Sequence, residues 1–323
     1  MMTTPALAEP YAAPFWLPGG DLQTIAGALV AAPEVDYRRE RWELPDGDFI
    51  DLDWVDGPTE APLLLLFHGL EGDSRSPYAL ALMAAARRRG WRGVVPHFRG
   101  CSGTPNRLPR AYHSGDTAEI ERILRHIHAA NGQAPLYVAG VSLGGNALLK
   151  WLGERGAAAR ELARAAAAVS APLDLAAAGA ALDQGFNRVY TARFLKTLKA
   201  KALAKLDRFP GLYDRHALAA VKRIKDFDDL VTAPLHGYRD ADDYWARAAS
   251  KPGLKAIALP TLIVNARNDP FMPGEVLPTP DQVSSSVTLE FPEHGGHVGF
   301  VSGPFPGSSS WLPARLLDFF ARR

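Results

Sequence analysis

Short apolar runs of strand length recur along the chain, and helical patterns separate most of them. Leu63–Phe67 is a continuous apolar run, which is typical of a strand covered on both faces. Further runs of strand length lie at Val94–His97, Leu136–Gly140, Ala165–Ser170, Leu262–Asn265 and Val287–Phe291. Apolar residues at helical spacing predict helices over Ser76–Arg89, Thr117–Ala130, Asn146–Leu152 and Trp311–Arg323. Strands that alternate with helices in this way indicate βαβ units and a mostly parallel sheet, an α/β fold.

A β-hairpin is predicted upstream of these units. Two extended segments, Trp42–Leu44 and Phe49–Trp54, flank the Asp-Gly turn Pro45-Asp46-Gly47-Asp48. In the second segment Asp51 and Asp53 alternate with apolar residues, the pattern of a half-buried strand.

The alternation of strand and helix breaks between about Pro172 and Pro252. This stretch is rich in Ala, Lys, Arg and Asp, has no clear strand and does not repeat internally. We therefore predict a helical cap that is inserted between two strands of a single domain. The domain spans residues 1–323, with a core of 1–171 and 253–323 and a cap of about 172–252.

Composition and charge narrow the class of protein. The 323 residues carry 36 Lys and Arg against 35 Asp and Glu, for a net charge of +1, and 47% are hydrophobic. This balance is ordinary for a globular domain and lacks the basic excess of a nucleic-acid binder, so no nucleic-acid partner is expected. The single cysteine, Cys101, cannot form an intramolecular disulfide, which excludes a disulfide-built secreted scaffold.

No segment predicts export, membrane insertion or a bound cofactor. The amino terminus has no basic region followed by a long apolar run, and no run of about 18 apolar residues occurs. We expect a cytoplasmic protein without integral membrane association, in which the apolar stretch Pro14–Gly20 packs on the domain. No Cys/His set has zinc spacing and no G-x-G-x-x-G follows a strand, so neither metal nor cofactor is expected.

The strongest chemical signal is the motif Gly140-Val141-Ser142-Leu143-Gly144, which follows a predicted strand and precedes a predicted helix. A G-x-S-x-G motif in this context is typical of a nucleophile turn, whose strained backbone holds the serine hydroxyl above the sheet. The two glycines would leave room for neighbouring backbone. We predict that Ser142 is a catalytic nucleophile.

A serine hydroxyl is a weak nucleophile, so it needs a base that an acid holds in place. In this arrangement the acid and then the base follow the serine along the chain. Asp269 comes just after the strand Leu262–Asn265, at the sheet edge where open parallel sheets bind their ligands. Asp281 and Glu275 are weaker candidates because they lie further from the strand end.

Two histidines compete for the role of the base after the last strand. His297 is preceded by two glycines, which would let its loop approach the serine closely, whereas His294 lies nearer the strand end. We favour His297 as the base and expect His294 to lie at the surface or to support the loop. In this interpretation His297 accepts the Ser142 proton and later donates it to the leaving alcohol, while Asp269 orients the imidazole.

An oxyanion needs hydrogen-bond donors aimed at the tetrahedral centre. One candidate is the backbone N–H of Leu143, the residue after the nucleophile. The second should come from the loop after an early strand, His68-Gly69-Leu70-Glu71-Gly72, where the Leu70 N–H is the best candidate. We interpret His68 as structural because it directly precedes this turn.

The chain resembles the YheT-like esterases over nearly its whole length. Long motifs carry the resemblance: PFWLPGGDLQTI, DGDFIDLDW, FHGLEGDSRSPYA, HFRGCSGTPNRLPRAYHSGDT, GVSLGGNALLKWLGE, NDPFMP and EHGGHVGFV. These esterases form the bacterial branch of an α/β-hydrolase family that also includes eukaryotic lipid-active and ester-forming members. The resemblance implies an α/β-hydrolase fold and a serine carboxylesterase of fatty-acyl or small esters. It also implies Ser142, Asp269 and His297 as the catalytic triad.

Other polar residues follow the strand Val94–His97 and could lie near the site. Cys101 has no base beside it, and we interpret it as a packing residue. His113 and Asp116 either support the oxyanion loop or are solvated. The basic residues of Lys196–Arg208 could meet an anionic lipid head group, but a solvated helix face is the preferred interpretation.

The leading hypothesis is a serine ester hydrolase that acts through an acyl-enzyme on a small-molecule ester or lipid. An acyltransferase with the same triad is the first alternative, because the two differ only in whether water or an alcohol accepts the acyl group. A hydrolase fold used only for binding is the second, and reaction with a fluorophosphonate would exclude it.

Overall fold

The computed structural model describes residues 9–323, in which eight strands form one sheet. The strands are β1 Arg38–Glu43, β2 Phe49–Val55, β3 Leu63–Phe67, β4 Arg92–Pro96, β5 Leu136–Val141, β6 Ala165–Val169, β7 Thr261–Val264 and β8 Val287–Glu290. The α-helices are α1 Gly20–Leu29, α2 Pro77–Arg88, α3 Thr117–Asn131, α4 Leu143–Arg155, α5 Leu175–Leu182, α6 Asn187–Arg208, α7 Arg215–Ala220, α8 Ile224–Phe227, α9 Ala233–Leu235, α10 Ala241–Ala248 and α11 Trp311–Phe320. Residues 1–8, which begin the segment that we inspected for export signals, lie outside the described residues.

The strand order is β1-β2-β4-β3-β5-β6-β7-β8. The pairs β1–β2 and β2–β4 are antiparallel, and every other pair is parallel. The prediction of a mostly parallel sheet is therefore confirmed. The predicted strands and helices are also present, with ends that differ from the predicted bounds by a few residues.

The two faces of the sheet carry separate cores because successive side chains of a strand point to opposite faces. In β3, Leu63, Leu65 and Phe67 pack with apolar residues of α3 and α4. Leu64 and Leu66 pack on the other face with α2 and α11. Helices thus cover both faces of β3, which explains its unbroken apolar sequence.

The hairpin forms as predicted, but β2 is not half-buried. Asp51 and Asp53 are only 1% and 2% exposed. Their direct cross-strand partners on β1 are Arg41 and Arg39, which donate hydrogen bonds to them at 2.7–2.9 Å. The alternation of acidic and apolar residues indicated an exposed face, whereas cross-strand ion pairs allow both carboxylates to be buried.

The segment between β6 and β7 forms the helices α5 to α10, which we call the inserted helices, and contains no strand. The basic residues of α6 form the predicted solvated face only in part: Lys196 is exposed, whereas Lys205 and Arg208 bind the loop that follows β4. Lys205 Nζ donates to Asn106 Oδ1 at 2.7 Å, and Arg208 donates to the Asn106 carbonyl at 2.8 Å. Burial lowers the pKa of Lys205 to about 8. These cations therefore attach α6 to the loop that follows β4.

Helix α1 has no counterpart among the predicted elements. Its first residue follows Gly19, and no side-chain cap is present at its start, so the usual sequence signal of a helix start is absent. Helix α1 lies against the loops that follow β7 and β8, and hydrogen bonds described below join it to both loops.

Candidate active site

The turn between β5 and α4 holds Ser142 in a strained conformation. Its φ is +52° and its ψ is −122°, a region that residues with a side chain rarely adopt. A Cβ on Gly140 would lie 2.6 Å from the Gly144 carbonyl oxygen, and a Cβ on Gly144 would lie 2.6 Å from the Phe67 carbonyl oxygen. Both glycines are needed for this close approach of backbone, as the motif indicated.

The structure brings the three predicted side chains of the triad together. Ser142 Oγ donates to His297 Nε2 at 3.0 Å, and His297 Nδ1 donates to the Asp269 carboxylate at 2.9 Å. Asp269 follows β7 and His297 follows β8, so adjacent parallel strands deliver the acid and the base to one edge of the sheet. This geometry is that of a nucleophile, a base and the acid that orients it.

The alternative candidates for the base and the acid, His294, Asp281 and Glu275, lie outside this hydrogen-bonded set. His294 is exposed, and its Nδ1 is 3.4 Å from Asn268 Nδ2. The Asp281 carboxylate accepts a hydrogen bond from Thr279 Oγ1 at 2.5 Å, in a short 3₁₀ turn. Glu275 lies in another such turn, Gly274–Val276. None of these side chains forms a described contact with His297.

The acid and the imidazole are shielded from water. Asp269 is 4% exposed and accepts a further hydrogen bond from the Phe271 N–H at 2.8 Å. The ring of Phe271 lies over the imidazole of His297, with a centroid distance of 4.2 Å. The low local dielectric strengthens the interaction between the carboxylate and the imidazolium that would form during reaction.

The loop after β3 lies against Ser142, and its successive N–H groups differ in their hydrogen bonding. The N–H groups on either side of Leu70 are both taken, because Gly69 N donates to Tyr78 Oη and Glu71 N donates to Tyr112 Oη, each at 2.8 Å. Within residues 9–323, no acceptor takes the Leu70 N–H. A Cβ on Gly69 would lie 3.1 Å from the Ser142 Cβ, so the loop touches the nucleophile.

The second predicted donor is the N–H of Leu143, the first residue of α4. The first N–H groups of a helix have no partner within it and carry a partial positive charge. Leu143 follows Ser142 directly and Leu70 lines the same cavity as Ser142, so both N–H groups remain candidate donors to an oxyanion.

His68 anchors the oxyanion loop and stays neutral. Its Nδ1 donates to the Gly69 carbonyl at 2.8 Å, and its Nε2 accepts from the Phe98 N–H at 3.0 Å. Burial lowers the pKa of His68 to about 3. A neutral imidazole with both nitrogens occupied has no proton to exchange with a substrate, which agrees with the structural role that we predicted.

Two residues of α1 hold the loops that carry Asp269 and His297. Gln23 is 1% exposed, and its Oε1 accepts from Asn268 Nδ2 at 3.0 Å and from the Gly295 N–H at 2.7 Å. Thr24 Oγ1 accepts from the His297 N–H at 2.8 Å. These contacts join residues more than 240 positions apart along the chain, so sequence spacing gave no signal for them.

Thr24→Val is expected to lower kcat for ester hydrolysis by about tenfold and to leave KM nearly unchanged. Valine removes the acceptor of the His297 N–H, and a partly buried N–H without a partner costs about 1–3 kcal/mol or forces the loop to shift. Steady-state kinetics with a water-soluble ester measure this split. Thr24→Ser is the matched control, because it keeps the hydroxyl. Equal kcat values for the two variants would contradict the positioning role.

A polar cluster braces the oxyanion loop from the side of α6. Tyr112 Oη donates to Glu71 Oε1 at 2.8 Å, and Lys201 Nζ donates to the same oxygen at 2.8 Å. Cys101 is buried, with its Sγ 3.5 Å from Lys201 Nζ. Burial raises the pKa of Cys101 to about 11, so its thiol is protonated near neutral pH and is not an activated nucleophile.

His113 and Asp116 do not brace the oxyanion loop and are not solvated. The Asp116 carboxylate caps α3 by accepting from the Glu119 N–H and pairs with Arg110. His113 packs against the ring of His236, and burial lowers the pKa of His113 to about 4. Tyr112, which the sequence analysis did not single out, makes the contact that we expected of them.

Two cavities meet at the nucleophile. The cap cavity, of about 720 Å³, lies between the sheet edge and the inserted helices, and its apolar lining includes Leu175, Leu182, Leu198, Phe227, Val231 and Leu235. The α1 cavity, of about 370 Å³, lies between α1, α6 and α11, and its lining includes Thr24, Ala28, Tyr190, Arg193 and Leu312. Ser142 and His297 line both. Among residues 9–323, no group of His, Cys, Asp and Glu is placed to hold a metal ion.

Comparisons with known proteins agree with this architecture. The chain is 47% identical to "Putative esterase YheT" of Escherichia coli (strain K12), with 87% of this chain and 83% of that protein covered. It is 31% identical to phospholipase ABHD3 of Homo sapiens, with 98% and 79% covered. The solved structure of the Pyrococcus furiosus esterase Pf2001 matches with a TM-score of 0.58 at 14% identity, over 91% of this chain and 95% of that chain. Because the identity to Pf2001 is low, this comparison shows the fold alone.

The profile of the family described as "alpha/beta hydrolase fold" matches residues 62–304. This range contains the oxyanion loop, the nucleophile turn and the loops of Asp269 and His297. Homologues that are named esterase and phospholipase support a hydrolase. The chain therefore belongs to the α/β-hydrolase fold family, in the group that includes YheT of E. coli.

Proposed function

We propose that the protein is a serine carboxylesterase that hydrolyses esters of fatty-acyl chains through an acyl-enzyme. The observation that carries this proposal is the unbroken relay of hydrogen bonds from Ser142 through His297 to Asp269, at 3.0 and 2.9 Å. The relay lies at the junction of an apolar cavity and a second opening. The human relative is named a phospholipase, which supports a lipid ester as the substrate class.

In the acylation step, Ser142 Oγ attacks the ester carbonyl while its proton moves to His297 Nε2. The carbonyl π electrons move to the oxygen, and the N–H groups of Leu143 and Leu70 stabilise the resulting oxyanion. The tetrahedral centre then collapses, and the ester C–O bond breaks. His297 donates its proton to the departing alkoxide, which leaves as the alcohol.

In the deacylation step, a water molecule donates a proton to His297 Nε2 and attacks the acyl carbon. The second tetrahedral centre forms at the same two N–H groups and collapses with cleavage of the bond to Ser142 Oγ. The proton returns from His297 to the serine oxygen, and the carboxylic acid leaves. Asp269 remains ionised throughout and stabilises the imidazolium of each step.

The cap cavity is suited to the acyl chain. Its lining is mainly apolar, and a methylene group that leaves water for such surroundings gains about 0.8 kcal/mol. We propose that the core of 1–171 and 253–323 supplies the chemistry and that the cap, at about 172–252, supplies most of this lining. The α1 cavity, on the other side of Ser142, would take the alcohol portion of the ester.

Leu198→Trp is expected to shift the substrate preference toward short acyl chains. Leu198 lines the cap cavity, and the larger ring would displace about two or three methylenes, which predicts a loss of roughly 10- to 50-fold in kcat/KM for long-chain esters. Acetyl and butyryl esters should be hydrolysed as by the wild type. A series of p-nitrophenyl esters from C2 to C14 measures the profile.

Leu203→Trp is the matched control for this change. Leu203 lies on the same helix and is half-buried, but it does not line the cap cavity. If both variants keep the wild-type profile, the acyl chain does not bind in the cap cavity. If both variants fold and lose activity on every ester equally, the loss does not depend on acyl length, and the assignment of the acyl chain to the cap cavity is contradicted.

A further inference from the structure

The outer surfaces of α1 and of the start of α6 are apolar and exposed. Leu22 and Leu29 on α1 are 51% and 78% exposed, and Phe186 and Val189 at the start of α6 are 50% and 57% exposed. Residues 22, 25, 26 and 29 recur at helical spacing, so the apolar residues of α1 form one stripe. Exposed apolar side chains that are grouped in this way mark an interaction surface.

The two helices form one continuous surface through Tyr190. Its hydroxyl lies 3.3 Å from the Asp21 carboxylate, next to Leu22 on α1. The ring of Phe186 packs edge-on against the ring of Tyr190, with a centroid distance of 5.6 Å. We call the exposed residues of these two helices, Leu22, Leu29, Phe186, Arg188, Val189 and Lys196, the α1–α6 face.

The charge of this face is basic. Arg188, Arg193 and Lys196 are exposed. Helical spacing places Arg193 and Lys196 on the same side of α6 as Val189, and Arg188 precedes Val189 in the first turn. None of the three forms an ion pair within residues 9–323. The nearby carboxylates, Asp21 and Asp183, are less exposed than these cations. Basic side chains interspersed with apolar ones are typical of helices that lie in the interface of an anionic lipid bilayer.

The α1–α6 face lies beside the α1 cavity, because the two helices that form the face also line that cavity. The α1 cavity is lined by Ala28 of α1 and by Tyr190 and Arg193 of α6, and it ends at Ser142. Within residues 9–323 no helix is long and apolar enough to cross a bilayer, so a contact made by these residues would be a surface contact.

We propose that the α1–α6 face docks on the surface of an anionic lipid bilayer, so that a lipid ester can pass from the bilayer through the α1 cavity to Ser142. The passage of the ester rests on the proposed function, whereas the docking does not. A bilayer fits this face better than a protein partner, because the exposed cations match a diffuse anionic surface and the α1 cavity beside the face reaches Ser142.

The test is sedimentation of the full chain with phosphatidylcholine vesicles that contain or lack 30% phosphatidylglycerol. The wild type should sediment with the anionic vesicles and bind the neutral ones more weakly. Arg188→Ser/Lys196→Ser should weaken binding about 25-fold, since each cation near an anionic surface contributes about a fivefold factor. Phe186→Ser/Val189→Ser should weaken binding at least about tenfold by removing apolar area. Both double variants should hydrolyse a water-soluble ester like the wild type.

Arg87→Ser/Arg88→Ser is the control, because it removes the same charge from exposed residues at the end of α2. An equal loss of binding in this control would overturn the proposal, since net charge and not the face would then decide binding. A wild type that is active on a soluble ester but does not sediment also overturns it. The proposal is also overturned if the wild type self-associates without binding vesicles and only Phe186→Ser/Val189→Ser loses this self-association. Vesicle binding without reaction with a fluorophosphonate would instead contradict the proposed function and leave the docking supported.

Discussion

Ser142→Ala is expected to lower kcat/KM for ester hydrolysis by about 10⁴- to 10⁶-fold and to abolish covalent labelling by a fluorophosphonate. The variant lacks the oxygen that forms the acyl-enzyme, while the oxyanion donors and the cavities remain. The residual rate therefore reports what binding and the two N–H groups achieve without the nucleophile. Hydrolysis of a short-chain ester and gel-based labelling measure the two losses.

A pair of histidine variants accompanies this experiment. His297→Ala should lose activity to a similar extent, because Ser142 Oγ donates to His297 Nε2. His294→Ala should retain most of the activity, since His294 is exposed and contacts only Asn268. Undiminished labelling of Ser142→Ala, or an active His297→Ala beside an inactive His294→Ala, would contradict the proposed mechanism.

Arg99→Met is expected to lower the free energy of unfolding by about 3–5 kcal/mol, and the melting temperature by roughly 5–10 °C. The Arg99 side chain is fully buried and donates to Asp48 at 2.9 Å and to Glu119 at 2.5 Å. Both carboxylates are almost fully buried, so the substitution removes the cation that pairs with Asp48 and leaves Glu119 with Arg122, at 2.9 Å. Chemical denaturation followed by circular dichroism measures the change.

Arg107→Met is the matched control for this prediction. Arg107 also pairs with a carboxylate, that of Glu43, but both side chains are exposed to solvent. Such surface pairs contribute about 0–1 kcal/mol, so the control should change stability little. If the two variants are equally stable, the buried cluster around Arg99 does not hold the loop after β4 in place.

Much of the fold was predictable because its signals are local. The continuous apolar run of β3 and the helical spacing of α3 each follow from which side chains must be buried, and both elements form where the pattern predicts them. The nucleophile turn was equally readable, since a strand, two glycines around a serine and a helix are consecutive in the chain. The order of Asp269 and His297 after their strands then indicated where an acid and a base would lie.

The predictions that were wrong concern charged residues whose partners lie far away in the sequence. The alternation of Asp51 and Asp53 with apolar residues predicted an exposed side of the strand. In the structure both carboxylates are buried, because Arg41 and Arg39 of β1 pair with them. Lys205 was predicted to lie on a solvated helix face, but its ammonium group donates hydrogen bonds to the loop after β4. In each case a charge is buried because a partner elsewhere in the chain compensates the loss of hydration.

The sequence by itself determined the alternation of strands and helices in the core, except for α1. It also determined the position of the nucleophile turn and a short set of candidates for the acid, the base and the oxyanion donors. Only the tertiary structure decided which histidine meets Ser142, that α1 holds the loops of both partners through Gln23 and Thr24, and that Tyr112 braces the oxyanion loop. The physical reason is the separation along the chain over which each effect acts. Propensity and periodicity act within a few residues, whereas these contacts join side chains that become neighbours only after the sheet has assembled.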